Sequence, residues 1–274
     1  MAQQAYVPQA VPEQASMPGP FTRSGFNQED KVPWDGTSPW QIVGEDSQLL
    51  VAKLAPGEEV MCEPGGMLTR EGKVQPSVQY GSCGLGCQRC CCAGENCCRV
   101  HWKNNDSKPL PITITPFFPA KVIPLNLDKH SGINVKMRAW MASFGNKTEH
   151  GVKMAPSFGT ACCAGQGCFI TTLNGSGTTF LSLGGTVYSK VLAPGEKMIV
   201  DQRALVAWDQ TVTMEVKTAG NCCTMCCGGM GLFNVALTGP GMVMIQSMAY
   251  ENAAKGYLAA KMGQKGGGME APVS

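Results

Sequence analysis

The chain has 274 residues, of which 15% are charged, and its formal net charge at pH 7 is +2. A dedicated nucleic-acid binder carries a concentrated basic footprint, so this near-neutral balance argues against nucleic acid as the main partner. The 34 glycines and 18 prolines argue against a mainly helical protein and predict an all-β fold of short strands joined by tight turns.

The N-terminal segment, residues 1–40, is rich in Gln, Pro and Ala and shows almost no hydrophobic periodicity, which predicts a flexible tail. It has no apolar core of the kind found in secretory signals. Glu13 precedes the first arginine, Arg23, so the segment is also a poor match to a mitochondrial transit peptide. These features predict an intracellular protein, either cytoplasmic or peripheral at a membrane.

A five-residue motif indicates that the chain repeats itself. Leu54–Glu58, with the sequence LAPGE, recurs as Leu192–Glu196, which lies 138 residues later. The match continues in residue type beyond the motif, for example with Val60 against Met198. An extended register of this kind predicts a duplicated β module. Such modules stack because each leaves an apolar face that a neighbour must cover.

A strand–turn–strand pattern occurs three times, and each copy is typical of a β-hairpin centred on Gly or Pro. The three copies are Ile114–Leu125, Leu173–Leu183 and Leu237–Ser247. A Cys- and Gly-rich loop precedes each copy. The sequence therefore predicts a single β domain over 41–250, built from three β-sandwich modules at about 41–127, 128–185 and 186–250.

Local patterns add detail to this architecture. Apolar residues alternate with polar ones in Asn134–Met141 and in Thr211–Lys217, which predicts strands with one buried face. The one helix that we expect is short, at about Asn252–Met262. It lies in a C-terminal segment, residues 251–274, that otherwise forms a flexible Gly-rich tail.

All but one of the 15 cysteines lie in the three loops that precede the strand–turn–strand patterns. The first loop contains Cys83, Cys87, Cys90, Cys91, Cys92, Cys97 and Cys98. The second contains Cys162, Cys163 and Cys168, and the third contains Cys222, Cys223, Cys226 and Cys227. Equivalent loops of repeated modules project from the same face of an assembly, so we expect one Cys-lined surface.

This surface has four interpretations. Clustered, accessible cysteines are typical of S-palmitoylation, which would make a membrane surface the partner. The Cys87-x-x-Cys90 and Cys223-x-x-Cys226 spacings match half of a thiolate site for Zn²⁺ or Cu⁺. No other cofactor is indicated. Redox-responsive disulfides between loops are the third interpretation. The fourth is tight packing, because unmodified Cys behaves as a small apolar residue.

No constellation of catalytic residues is evident. A thiol nucleophile needs a base and an orienting group. His101 follows Cys98 by three residues, but this closeness is in sequence alone. No Walker loop or dinucleotide fingerprint follows a predicted strand. We therefore expect no enzymatic activity, and these residues identify no small-molecule substrate.

The repeats also carry a family resemblance over about Gln41–Tyr250. It rests on Leu54–Glu58, Glu63–Met67, Lys121–Leu125, Gly184–Thr186, Leu192–Glu196, Leu237–Gly241 and Gln246–Ser247. In this order and spacing, the chain resembles the altered inheritance of mitochondria protein twenty-four family. It departs from that family in its three Cys-rich loops, where relatives tend to have Gly, Leu and Phe.

The resemblance implies a fold like that of the tryptophan RNA-binding attenuator protein, of the double-stranded β-helix type, whose modules assemble into rings. It implies a homotrimer with nine modules per ring, a mitochondrial location, and a role in mitochondrial biogenesis or inner-membrane organisation without catalysis. The expected function is thus an oligomeric scaffold or membrane-associated adaptor with a Cys-rich face. A thiol-rich metal-binding or redox-responsive protein and an RNA-binding ring protein are the alternatives.

Overall fold

The structure is a computed structural model that describes residues 27–28, 37–79, 96, 98–144, 147–154, 169–218 and 233–249. The described residues form antiparallel β-strands, and their one helical element is a 3-10 turn at Leu127–Lys129. The predicted all-β fold is therefore confirmed. The strands are β1 (Asn27–Gln28), β2 (Trp40–Val43), β3 (Leu49–Leu54), β4 (Glu59–Cys62), β5 (Met67–Arg70), β6 (Val74–Gln79), β7 (Arg99–Asn104), β8 (Leu110–Ile114), β9 (Lys121–Asn126), β10 (Ile133–Val135), β11 (Trp140–Phe144), β12 (Thr148–Met154), β13 (Phe169–Gly175), β14 (Thr178–Leu183), β15 (Val187–Leu192), β16 (Lys197–Asp201), β17 (Leu205–Asp209), β18 (Thr213–Thr218), β19 (Phe233–Thr238) and β20 (Gly241–Gln246).

Strands β3 to β20 form three six-stranded units with the same topology. Unit 1 is β3–β8, unit 2 is β9–β14, and unit 3 is β15–β20. In every unit the sixth strand pairs with the first and the third, which makes a 1-6-3 sheet. The fifth strand pairs with the second and the fourth, which makes a 2-5-4 sheet. Each unit is thus a small sandwich, and the repeated β-sandwich architecture is confirmed at the level of strand pairing.

Each unit contains its own cluster of buried apolar side chains. Leu50 lies in the core of unit 1, Leu173 in that of unit 2 and Leu237 in that of unit 3, and all three are fully buried. The alternation predicted for Thr211–Lys217 is also observed, because Val212 and Met214 are buried in the core of unit 3. Period-two patterning therefore directs one face of each strand towards the inside of its sandwich.

The repeated LAPGE motif forms the turn between the first and second strands of units 1 and 3. Gly57 and Gly195 both have a φ of +78°, and Pro followed by such a Gly defines a type II turn. In unit 1, the Glu58 amide donates to the Ala55 carbonyl at 3.0 Å, and the Glu58 carboxylate accepts from the Ala55 amide at 2.8 Å. Unit 3 repeats both contacts. The motif recurs because the turn uses its Pro, its Gly and its Glu.

The three strand–turn–strand patterns are not hairpins, so that prediction was wrong. β13 pairs with β10 and β12, whereas β14 pairs with β9 and β11, and β19 and β20 are separated in the same way. In units 2 and 3 the turn carries the chain from one sheet of the sandwich to the other, and in the first pattern it leads from β8 of unit 1 to β9 of unit 2. The alternation of apolar residues is the same as in a hairpin. β9 pairs with β14, so strand pairing puts the first boundary between units in the loop after β8, whereas the sequence analysis drew it at 127.

The strand predicted over Asn134–Met141 is interrupted by a turn. β10 ends at Val135, the Ala139 amide donates to the Lys136 carbonyl at 3.1 Å, and β11 begins at Trp140. Arg138 in this turn has a φ of +65°, which is uncommon for a residue other than Gly. A tight turn of four residues leaves the apolar alternation of the flanking strands almost in phase, which is why the sequence pattern concealed it.

Two short strands add to the outer edges of the units. β2 pairs with β3, the first strand of unit 1, and β1 pairs with β15, the first strand of unit 3. The segment predicted as a flexible tail therefore contains one ordered strand, Asn27–Gln28, and meets β2 at Trp40. Residues 1–26 and 29–36 of that segment, the predicted helix at 252–262 and the C-terminal tail lie outside the described residues.

Candidate assembly interface

Two joints connect the three units, and both use the same pair of strands. In joint 1, the second strand of unit 1 (β4) pairs with the third strand of unit 2 (β11), with Cys62 opposite Ala142. In joint 2, the second strand of unit 2 (β10) pairs with the third strand of unit 3 (β17), with Val135 opposite Ala207. The sheets of successive units are therefore continuous across each joint.

The two joints have the same register when it is counted from a β-bulge, which every third strand contains at the same position. The bulge lies between Met67 and Thr69 in unit 1, at Met141 in unit 2 and at Val206 in unit 3. A bulge adds one residue to its strand and changes where the following side chains point. We call Leu68, Met141 and Val206 the bulge residues.

One backbone hydrogen bond identifies the joint. The carbonyl of the bulge residue accepts from the amide of the residue that follows the second strand of the preceding unit. In joint 1 the Glu63 amide donates to the Met141 carbonyl at 3.0 Å. In joint 2 the Lys136 amide donates to the Val206 carbonyl at 2.7 Å. The same contact in both joints indicates that unit 2 follows unit 1 by the same geometric step as unit 3 follows unit 2.

The joints bury side chains of one unit in the core of the next. Met141, on a strand of unit 2, lies in the core of unit 1, and Val206, on a strand of unit 3, lies in the core of unit 2. Met61, on a strand of unit 1, lies in the core of unit 2. These three side chains are 3%, 1% and 4% exposed. Because the units share core residues, no unit buries its apolar surface without its neighbour.

At the outer ends of the row of units, the same two kinds of strand each have one side unpaired in the described part of the chain. β5, the third strand of unit 1, is an edge of its sheet, and β16, the second strand of unit 3, is an edge of its own. Among the described residues, no strand pairs with the outer side of either. We call these strands the open edges. Unpaired strand edges are templates for pairing with another chain.

Apolar side chains are exposed on both open edges. Leu68, the bulge residue of β5, is 54% exposed, and Ile199 on β16 is 66% exposed. Phe117, which lies against Gly65 just before β5, is 63% exposed. Their positions correspond to buried residues of the joints: Leu68 to Met141 and Val206, and Ile199 to Met61. The pattern of exposure is that of a joint with one partner removed.

The ion pair at joint 1 is buried, whereas the ion pair at the equivalent position of an open edge is partly exposed. Glu63 follows β4 and forms a buried salt bridge with Arg99 at 3.0 Å, and the Arg99 guanidinium lies 4.6 Å from the centre of the Trp140 ring. Asp201, at the equivalent position of unit 3, pairs with Arg203 at 2.8 Å while remaining about one-third exposed. Partial burial opposes ionisation of Asp201, but hydrogen bonds from Arg203 outweigh it and lower the pKa of that carboxyl.

Cys62, the cysteine outside the predicted loops, lies in joint 1. It is 1% exposed, and burial raises the pKa of its thiol from 9.0 to about 12. Val135 and Val200 occupy the equivalent positions of units 2 and 3 and are also buried. The thiol is therefore protonated at neutral pH and acts as a small packing residue.

Of the predicted site residues in the Cys-rich loops, the structure describes one, Cys98, which is half-buried. The other thirteen lie outside the described residues. The loops join the fourth strand of each unit to the fifth, and so begin and end at equivalent places in the three sandwiches. His101 is buried, and its Nδ1 lies 3.4 Å from the Glu59 carboxylate. Within the described ranges, no group of three or more His, Cys, Asp or Glu residues could hold a metal ion.

A cavity of about 690 Å³ lies beside β9, between Trp40 and Met244. His130 lines it and contacts Asp209 through a 2.6 Å hydrogen bond. The second Asp209 oxygen accepts from the Met242 amide at 2.7 Å, so the pair connects the 3-10 turn of unit 2 to β17 and β20 of unit 3. This arrangement is explained by its role in holding adjacent units together.

The residues of the open edges are not among the predicted site residues. Leu68 and Ile199 each lie in an ordinary apolar strand, and nothing local marks them as exposed. One signal was present: the 138-residue repeat aligns Met61 with Ile199, so a residue buried in a joint has an apolar counterpart in unit 3. Recognising its meaning requires the strand pairing.

Comparison with known proteins supports the fold and identifies a family match. The family model described as Mitochondrial biogenesis AIM24 matches residues 40–248. The crystal structure of a Streptococcus pyogenes protein from a structural genomics consortium is similar, with a TM-score of 0.64 at 19% identity. The match covers 81% of this chain and 98% of that one. A comparison with curated proteins gave no match. In the described part of the chain, no helix is long and apolar enough to cross a membrane.

Proposed function

The chain belongs to the mitochondrial biogenesis AIM24 family, and on that premise we propose that it is a non-catalytic scaffold that acts as a ring-shaped homotrimer in the organisation of mitochondrial membranes. The observation that carries the proposal is the difference between the joints and the open edges. Scaffolds act through their shape and the number of partners they bind. A row of three units with an unpaired strand side at each end can bind further copies of the chain, either in an open row or in a closed ring.

The joint geometry supports a closed assembly. Two successive joints have the same register and the same backbone hydrogen bond. If the same geometric relation between neighbouring units is repeated between chains, the assembly is a ring when the successive rotations add up to a full turn, and a filament when they do not. A trimer would contain nine units. A closed ring also removes the open edges, which are otherwise a route to uncontrolled aggregation.

The Cys-rich loops would give the ring a functional face. Because each loop joins the same two strands of its unit, the loops of a symmetric ring would stand at equivalent positions around the axis. We propose that this face attaches the scaffold to a membrane surface through acylated cysteines. Several acyl chains in one assembly would provide stable anchoring, whereas one chain binds only marginally.

The test is the intact mass of the full-length protein purified from its native source, measured under native and then denaturing conditions, with free thiols counted. The proposal predicts a native mass of three times 29.0 kDa, adducts of acyl size on single chains, and loss of these adducts with hydroxylamine. A monomer would contradict the scaffold. A trimer that carries metal lost to a chelator would favour the thiol-rich metal protein instead. A trimer that carries nucleic acid, released by salt, would favour the RNA-binding ring.

A further inference from the structure

The open edges are complementary to each other, and this goes beyond the statement that the chain assembles. Each joint pairs the second strand of one unit with the third strand of the next. At the ends of the chain, the unused second strand is β16 and the unused third strand is β5. We propose that β5 of one chain pairs antiparallel with β16 of a second copy, as a third joint of the same kind. This inference rests on the proposed assembly and names its interface.

The internal joints determine the register of the third joint. In joint 1, Ala142 lies opposite Cys62, and in joint 2, Ala207 lies opposite Val135. The corresponding residue of β5, counted from its bulge, is Thr69. The corresponding residue of β16 is Val200, since Cys62 recurs there at the 138-residue spacing. Thr69 therefore lies opposite Val200 of the second copy.

The next pair of this register is Arg70 opposite Ile199 of the second copy. In joint 1 this position is occupied by Ser143 and Met61. The Arg70 guanidinium donates to the Val74 carbonyl at 2.8 Å and lies 5.5 Å from the centre of the Trp102 ring. The aliphatic part of Arg70 can cover Ile199 while these contacts hold the guanidinium. Burial of Ile199 would remove one of the most exposed apolar side chains of the described surface.

The bulge residue is the centre of the proposed contact. Met141 and Val206 each enter the core of the preceding unit, and Leu68 has a similar size and the same backbone position. Leu68 would therefore enter the core of unit 3 of the second copy. The Asp201 amide of that copy would donate to the Leu68 carbonyl, as Glu63 donates to Met141 in joint 1.

The other sheet edges offer no pair of strands that is joined in the middle of the row of units and open at its two ends. The fourth strands β6, β12 and β18 are edges in all three units. The first strands of units 1 and 3 are paired with β2 and β1, whereas the first strand of unit 2, β9, is a sheet edge. Among the described residues, second and third strands alone pair with another unit inside the row, and they lack such a partner at its two ends. A head-to-tail interface follows, with different surfaces on the two chains, rather than a symmetric contact of like with like.

Two variants test this pairing. Leu68→Asp blocks β5 and leaves β16 intact, whereas Ile199→Asp blocks β16 and leaves β5 intact. A buried carboxylate without a partner is strongly unfavourable, so each variant alone should lose the oligomer and become monomeric. Mixed in equal amounts, the two variants should form a heterodimer and nothing larger, because only one competent pair of edges remains.

The matched control is Val191→Asp. Val191 is 71% exposed, and its counterparts in units 1 and 2, Lys53 and Asn126, are exposed polar residues. This variant should keep the native mass of the wild type. Thermal unfolding of all three variants confirms that they are folded, which is expected because each substitution is at an exposed position.

Native mass spectrometry of the variants and their mixture separates two kinds of failure. A wild-type monomer would overturn the proposed scaffold itself. A wild-type oligomer whose mass survives Leu68→Asp or Ile199→Asp would overturn the third joint and leave the scaffold standing. A dimer formed by Leu68→Asp alone would show pairing of like edges, and a variant mixture without heterodimer would show that β5 and β16 do not meet. Either result would also overturn the third joint.

Discussion

The joints and the open edges contain equivalent strands in different surroundings. In β11 and β17, the third strands at the joints, nearly every residue is buried, whereas in β5 no residue is fully buried. The second strands differ similarly, since β10 is buried throughout and β16 is mostly exposed or half-buried. The side chains are comparable, with Leu68 standing where Met141 and Val206 stand. The difference shows that burial at these positions is decided by the neighbouring unit and not by the strand.

The first prediction breaks the buried ion pair of joint 1. Replacement Glu63→Gln leaves the buried Arg99 guanidinium without its carboxylate, and we expect a loss of about 3–5 kcal/mol in the free energy of unfolding. The matched change at the open edge, Asp201→Asn, should cost at most about 1 kcal/mol because its ion pair is partly solvated. Urea unfolding of both variants in the Leu68→Asp background excludes any contribution of assembly. Equal losses at the two positions would contradict the difference described here.

The second prediction compares bulge residues. Met141→Ala removes side-chain atoms from the core of unit 1, and we expect a loss of about 2–5 kcal/mol in the free energy of unfolding. Leu68→Ala, measured in the monomeric Ile199→Asp background, should change that free energy by no more than about 0.5 kcal/mol. The same urea titration gives both values. A large cost for Leu68→Ala in the monomer would show that Leu68 is already packed within its own chain.

The third prediction uses the thiol of joint 1. Because burial raises the pKa of Cys62 to about 12, the folded state holds its proton more tightly than the unfolded state. The resulting stability is fully present below pH 9.0, the ordinary pKa of the group, and is lost as pH rises towards 12. Cys62→Val, which copies Val135 and Val200, should remove this loss.

The measurement is the difference in unfolding free energy between pH 8 and pH 10 for the wild type and for Cys62→Val. The wild type should lose about 1 kcal/mol more than the variant over this interval. The other ionisable groups are common to both proteins, so the difference isolates Cys62. An identical pH dependence would show that the thiol is not buried in the way the structure describes.

The sequence was sufficient to predict the fold class and the repeat. The Pro-Gly-Glu turn recurs at Leu54–Glu58 and Leu192–Glu196 because both turns use the same contacts, and composition disfavoured helices. The pairing of strands was not predictable from the same patterns. Alternation in Leu173–Leu183 is compatible with a hairpin and with a chain that crosses between sheets, since a strand has the same two faces in both.

The candidate interface was harder to predict than the fold. Cysteine clusters have recognisable chemistry, which made the Cys-rich loops the predicted sites, and the roles of these loops remain predictions. Leu68 and Ile199 have no distinctive chemistry. They are recognised as interface residues by comparison with Met141, Val206 and Met61, which occupy the same positions in other units and are buried. That comparison depends on the bulges and on the register across the joints, which are tertiary features.

The most direct test of the third joint locates the contact itself. A photo-activatable benzoylphenylalanine replaces Arg70 in full-length protein, and oligomers are assembled from equal amounts of chains with natural nitrogen and chains labelled with ¹⁵N. After irradiation, mass spectrometry identifies the cross-linked peptides and the isotope of each. The account predicts mixed light–heavy cross-links from β5 to the β16 peptide that contains Ile199. Cross-links from β5 to β5, or cross-links confined to single chains, would contradict it.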